Sequence, residues 1–141
     1  MKCLNLFNQN ISNVSGIEYF TNLEFLAIQY NQITNMNLSS NSKLKYLSCL
    51  NNPLAVLDLS NCIDLVELKC NNTNISNLNV GHCTLLKKLY CFSSNMSILN
   101  LTNCLSLEHL ECNNNQLSSL NLSNCTELKL LDCYTNNIAN L

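Results

Sequence analysis

The sequence predicts an α/β-type solenoid that is mostly β, in which stacked turns share one parallel sheet and short extended or 3₁₀ segments return behind it. Three observations predict it. An apolar pattern recurs every 21 residues, clearest in Leu107 to Glu127 (LEHLECNNNQLSSLNLSNCTE), with Leu at positions 1, 4, 11, 14 and 16, Cys at 6 and 19, and Asn at 9. Repeats of this length are supersecondary units that bury their apolar faces only against neighbouring turns. The two commonest residues, Leu (29) and Asn (28), are those the pattern consumes, leucine inside and asparagine in the turns. Nine of the ten cysteines fall in two columns of the same spacing, Cys49, Cys70, Cys91, Cys112 and Cys133 at position 6 and Cys62, Cys83, Cys104 and Cys125 at position 19.

Taken in order, the first repeat spans 1–22 and differs from the rest, with Leu6 at position 6 and Gln9 at position 9. Full repeats follow at 23–43, 44–64, 65–85, 86–106 and 107–127, and a partial one at 128–141. The chain 1–141 is therefore expected to be one domain, and the unfinished last turn suggests an excerpt of a longer solenoid. Side chains alternate along a strand, so positions 4 and 6 point inward and positions 3 and 5 outward. The inward columns are Leu4, Leu26, Leu47, Leu68, Leu89, Leu110 and Leu131, then Leu6, Ile28 and the five cysteines. Asn31, Asn52, Asn115 and Asn136 at position 9 are placed to satisfy backbone groups where the chain leaves the sheet. Gln9, Thr73 and Ser94 replace asparagine in that column, and the short Thr73 and Ser94 predict local weakening there. With Gly 2 and Pro 1, turns must rest on Asn, which tolerates the left-handed region. Asn37, Asp58, Asn79, Asn100 and Asn121 at position 15, each followed two residues later by Ser, Gly or Thr, are read as turn residues on the return.

The run LKYLSCLNNPLAVLDLSNC, Leu44 to Cys62, resembles the short 21-residue leucine-rich repeat class common in bacterial proteins, Leu-x-x-Leu-x-Cys-x-x-Asn-x-Leu. The first return segment, GIEYFTNL, resembles the internalin type. This resemblance covers the whole chain. It implies a right-handed horseshoe or arc with its sheet on the concave face and its returns on the convex face, and a surface presented to other molecules.

Charge narrows the partners. The formal net charge is −2 with 11% charged residues and no basic run, so nucleic acid and anionic membranes are not expected as partners. Membrane insertion is not expected either, since no apolar run approaches the ~18 residues of a span. The start, MKCLNLFNQN, lacks a signal-peptide core. The compartment stays open, a surface or secreted bacterial protein being the expectation if this is part of a longer chain. The unfinished edge, with Leu128, Leu131, Cys133, Ile138 and Leu141, is a place where copies could self-associate.

The cysteines do not point to chemistry. Stacked strands put equivalent Cα atoms ~4.8 Å apart, which a disulfide accepts, but in-register side chains run parallel and Leu6 and Ile28 share the column. They are read as reduced, buried fillers. With no Cys-x-x-Cys pair and thiols in a line, no metal or cofactor is expected. Cys3 and His109 share the sheet face but lie five turns apart, roughly 24 Å, too far for a nucleophile and its base. Glu67, Glu111 and Asp132 are interleaved with Lys69 and Lys88 rather than paired as an acid and a base. No catalytic residue is assigned, and the chain is read as a non-enzyme. Nine Asn-x-Ser/Thr sequons follow from composition alone.

The aromatic residues carry the functional reading. Seven of nine lie at or beside the sheet face, where large rigid rings favour interfaces. The expected site is the concave face of repeats two to six, with Phe25, Tyr46, Lys69, Lys88, Tyr90, Phe92, His109 and Glu111, binding a protein or peptide. A structural spacer or adhesin stalk, and carbohydrate stacking on the same rings, are the alternatives.

Overall fold

The computed structural model describes residues 1–140; Leu141, which the repeat pattern places in the position-14 column, lies outside them. Each turn contributes one three-residue strand beginning at position 3: β1 Cys3–Asn5, β2 Phe25–Ala27, β3 Tyr46–Ser48, β4 Glu67–Lys69, β6 Lys88–Tyr90, β8 His109–Glu111 and β9 Leu130–Asp132. Two further strands, β5 Asn77–Asn79 and β7 Ile98–Asn100, lie in the returns of turns four and five. The seven form one parallel sheet in the order β1-β2-β3-β4-β6-β8-β9, paired position for position, Leu26 to Leu47 and Leu47 to Leu68 for example. The return strands β5 and β7 pair with each other in a small second sheet beyond the expected one.

The strands are short because the chain turns at position 8. Asn8, Tyr30, Asn51, Asn72, Ser93, Asn114 and Thr135 all take φ between 51° and 58°, the left-handed region. Asparagine tolerates this conformation and fills four of the seven sites, whereas Tyr30, Ser93 and Thr135 adopt it at a steric cost. Position 9 then closes the bend. The Asn52 amide donates to the carbonyls of Ile28 and Cys49, both at 3.0 Å, while its Oδ1 accepts from the N–H of Ile33 at 3.0 Å. Asn115 repeats this between Cys91 and Cys112, at 2.9 Å each. At Thr73 the ladder shrinks to a hydroxyl bonded to Cys70 O at 2.8 Å, as the side-chain length predicts.

The returns are locally capped. Ser39, Ser60, Gly81, Thr102 and Ser123 each donate their N–H to the side-chain oxygen two residues back, at 2.9–3.0 Å. The first turn instead carries a 3₁₀ segment, Ile17–Tyr19. The carbonyls of Ile17 and Phe20 accept from the buried Asn41 amide, which holds position 19 before the cysteine column begins.

One continuous core runs through the turns, with Leu26, Leu47, Leu68, Leu89 and Leu110 fully buried beside Ile28, Cys49, Cys70, Cys91 and Cys112. Each Leu-sized side chain contributes about 1.5–3 kcal/mol on burial. That burial exists only between turns, so the stack stabilises what a lone turn cannot. No helix among the described residues is long and apolar enough to cross a membrane.

Candidate functional site on the sheet face

Positions 3 and 5 face away from the core along the whole sheet, and their contents form a connected row. Phe25 and Tyr46 are register partners on β2 and β3, and their rings stack with centroids 4.4 Å apart and planes 5° from parallel. Beside them on position 5, Ala27 and Ser48 are small and buried. Lys69 on β4 bridges to the next ring: its Nζ lies 5.7 Å from the Tyr46 centroid and 5.3 Å from that of Tyr90 on β6. An ammonium over ring faces is held by their quadrupoles, and Glu67, 3.1 Å away, holds it from the side. Burial pulls the Lys69 ammonium down, but Glu67 and the two tyrosines outweigh it, so the group stays charged more strongly than an ordinary lysine.

Tyr90 then meets His109 on β8, with centroids 5.0 Å apart and planes tilted by 43°. The His109 Nε2 is 2.7 Å from Glu111 Oε1, and both side chains are half-buried. Six of the eight expected residues are thus joined through contacts, from Phe25 across to Glu111. The other two stand apart. Lys88 is exposed at the centre of the face, and Phe92 lies half-buried at position 7 beyond the end of β6. The buried Asn71 and Asn113 occupy the same column in adjacent turns.

Glu67, which the sequence already interleaves with Lys69 on this face, joins the row as its counterion. One feature lies outside the sequence reading. Position 2 carries ion-pair ladders along the edge of the sheet: Glu24 sits 2.7 Å from Lys2 and 2.8 Å from Lys45, and Glu108 sits 3.6 Å from Lys87 and 2.6 Å from Lys129. Lysine bonds hold both carboxyls below their ordinary range, Glu24 to about 2. The signal was present as Lys2, Glu24 and Lys45, then Lys87, Glu108 and Lys129, spaced by 21 or 22 residues with Val66 between the two runs.

No family model and no curated protein matches the sequence. Solved structures do match. The functional domain of InlJ from Listeria monocytogenes, described as including a cysteine ladder, superposes with a TM-score of 0.88 at 30% identity, over 99% of this chain and 36% of that one. Internalin C2 from Listeria monocytogenes gives 0.86 at 26% identity, over 99% and 64%. This chain has an internalin-like leucine-rich repeat fold. The leucine-rich repeat protein LIC12759 from Leptospira interrogans gives 0.81 at 26%, over 87% and 34%. At 22% identity and 0.61, the TLR13–ssRNA13 complex shares the fold alone. This leucine-rich repeat chain spans about a third of the InlJ functional domain and of the LIC12759 chain, and under two thirds of the internalin C2 chain. Its cysteines are free, eight of them buried in two columns, with Cys133 half-buried and Cys3 exposed. Burial drives the thiols of Cys49, Cys83, Cys104 and Cys112 up to about 12 and that of Cys62 to about 11. A thiol held protonated and out of solvent is an inert filler.

Proposed function

We propose that the chain is a non-enzymatic recognition module that takes a protein or peptide on the concave face of turns two to six. The supporting observation is the row from Phe25 to Glu111, in which rings, ammonium and carboxylates are already braced against one another before any partner arrives. A face whose side chains are ordered in advance loses less conformational entropy on binding. Aromatic anchors in such a row supply the contact area, and its charges set orientation more than affinity. The remaining surface is repetitive: interior columns are fixed by packing and the return positions by local capping, so positions 3, 5 and 7 are where sequence varies freely from turn to turn.

The test is selection of peptides from a displayed random library, followed by affinity and melting measurements on variants. Tyr90→Ala and Phe92→Ala are expected to weaken the selected ligands at least about tenfold, with the melting temperature little changed. Ser97→Ala, on the return side, should do neither. Equal affinity across the sheet-face variants would move the site off this face, and a selection that yields no ligand would leave the chain as a spacer.

A further inference from the structure

Six of the seven lysines have a polar partner. Lys2 and Lys45 share Glu24, Lys87 and Lys129 share Glu108, Lys69 holds Glu67, and Lys43 donates to the Asn22 side chain at 2.7 Å. Lys88 alone has none among the described residues, and it stands exposed at the middle of the sheet face. Its register partners are Glu67 and His109, yet Glu67 is engaged by Lys69, and the carboxylate beyond it, Glu111, by His109. Four groups are therefore matched as two pairs, and one ammonium is left over beside Tyr90. The stacked Phe25 and Tyr46 lie three and two strands away along the sheet, roughly 10–14 Å at ~4.8 Å per strand. An extended peptide advances ~3.3 Å per residue and covers that distance in about three to four residues.

We propose that this face selects peptides carrying a carboxylate about three to four residues from an aromatic side chain, the carboxylate on Lys88 and the ring on the Phe25–Tyr46 stack. The proposal rests on the recognition reading above and adds the chemistry of the partner. Lys88 is the one ammonium on the face with no polar partner among the described residues, and an anion is what completes it. The stack, its rings face to face and edge-on to the surface, supplies an apolar contact at a fixed distance from that charge. Together they set a spacing as well as a composition.

The probe is a set of fluorescent peptides in Gly-Ser background, each with one Phe and one Asp, whose separation is varied from one residue to six. Anisotropy titrations at low ionic strength should show tightest binding at separations of three and four. Replacing Asp by Asn in those peptides should weaken binding roughly threefold to fivefold, the size of an exposed ion pair. Lys88→Gln should erase the difference between Asp and Asn, and Lys88→Glu should reverse it in favour of a Lys-bearing peptide. Lys88 has no partner to lose, so Lys88→Gln should keep the parent melting temperature, whereas Lys88→Glu sets a carboxylate opposite Glu67 and should lower it slightly. A flat response to spacing, or an Asp preference that survives Lys88→Gln, overturns the proposal. Peptides that bind through Tyr46 with no preference between Asp and Asn would overturn it while leaving the recognition reading intact. Peptides indifferent to both Tyr46→Ala and Tyr90→Ala would overturn both, and so would Lys88-dependent capture of a sialylated glycan in their place.

Discussion

One side chain per turn closes the bend between sheet and return, and its length decides how well. Asn115 reaches five backbone groups: its amide donates to Cys91 O, Cys112 O and, at 3.4 Å, Asn113 O, and its Oδ1 accepts from Ser94 N–H at 3.1 Å and Met96 N–H at 2.9 Å. Thr73 is one atom shorter and reaches Cys70 O, with its own N–H 3.4 Å from Ser94 Oγ. Leaving a buried backbone group unpaired costs about 1–3 kcal/mol, so Asn115→Ala should destabilise the chain by at least about 3 kcal/mol. Thr73→Ala should cost about 1 kcal/mol, one neutral hydrogen bond. Urea denaturation midpoints of the two variants test this, and equal losses would show that the ladder is not what holds the bend. The role of position 9 was legible because asparagine recurs there. Position 8 was not read as a column, because Tyr30, Ser93 and Thr135 interrupt its asparagines and nothing in their chemistry announces a left-handed backbone.

At the scale of strands and columns, the sequence carried the period, the register and the inward faces, since each follows from counting in steps of two and 21. The contacts across the sheet face were less legible. Position numbers put Tyr46, Lys69 and Tyr90 on one side, but whether neighbouring rings stack, tilt or take an ammonium between them depends on rotamers that periodicity does not encode. The small β5–β7 sheet was missed for a similar reason: Asn77–Asn79 and Ile98–Asn100 lack a strand-like composition and pair only because stacking aligns them. They occur in the turns that carry Thr73 and Ser94, so backbone pairing on the return adds hydrogen bonds where the asparagine ladder is reduced. The cysteine columns give a direct prediction at this scale. Under native conditions a maleimide should label Cys3 at once and the half-buried Cys133 more slowly, with the eight buried thiols protected until the turns open. Denaturation without reductant should then expose all ten. Recovery of four or five disulfides from the denatured, unreduced chain would contradict columns of parallel, unlinked thiols.

A solenoid has no centre, so its stability is a sum over interfaces between turns, and whatever acts on every interface acts on the whole molecule. The buried thiols are spread in this way, since Cys49, Cys62, Cys70, Cys83, Cys91, Cys104 and Cys112 run through a single core from turn three to turn six. Desolvation raises each of them above the ordinary value of 9.0, to about 12 for Cys49, Cys83, Cys104 and Cys112. The fold therefore keeps its protons where the unfolded chain gives them up. Below pH 9 both states hold the thiol proton and stability is undiminished. Above it the unfolded state ionises first, and each such thiol removes up to about 1.4 kcal/mol per pH unit until the folded value is reached. With several thiols acting together, the urea midpoint should hold from pH 7 to about 8.5 and fall steeply between pH 9 and 11, with unfolding coupled to the release of more than one proton. Cys91→Ala should lower the stability at pH 7 through the cavity it leaves, yet make the alkaline decline shallower by one proton. A decline whose slope is the same in Cys91→Ala and in the parent chain would assign the alkaline sensitivity to groups outside the cysteine columns.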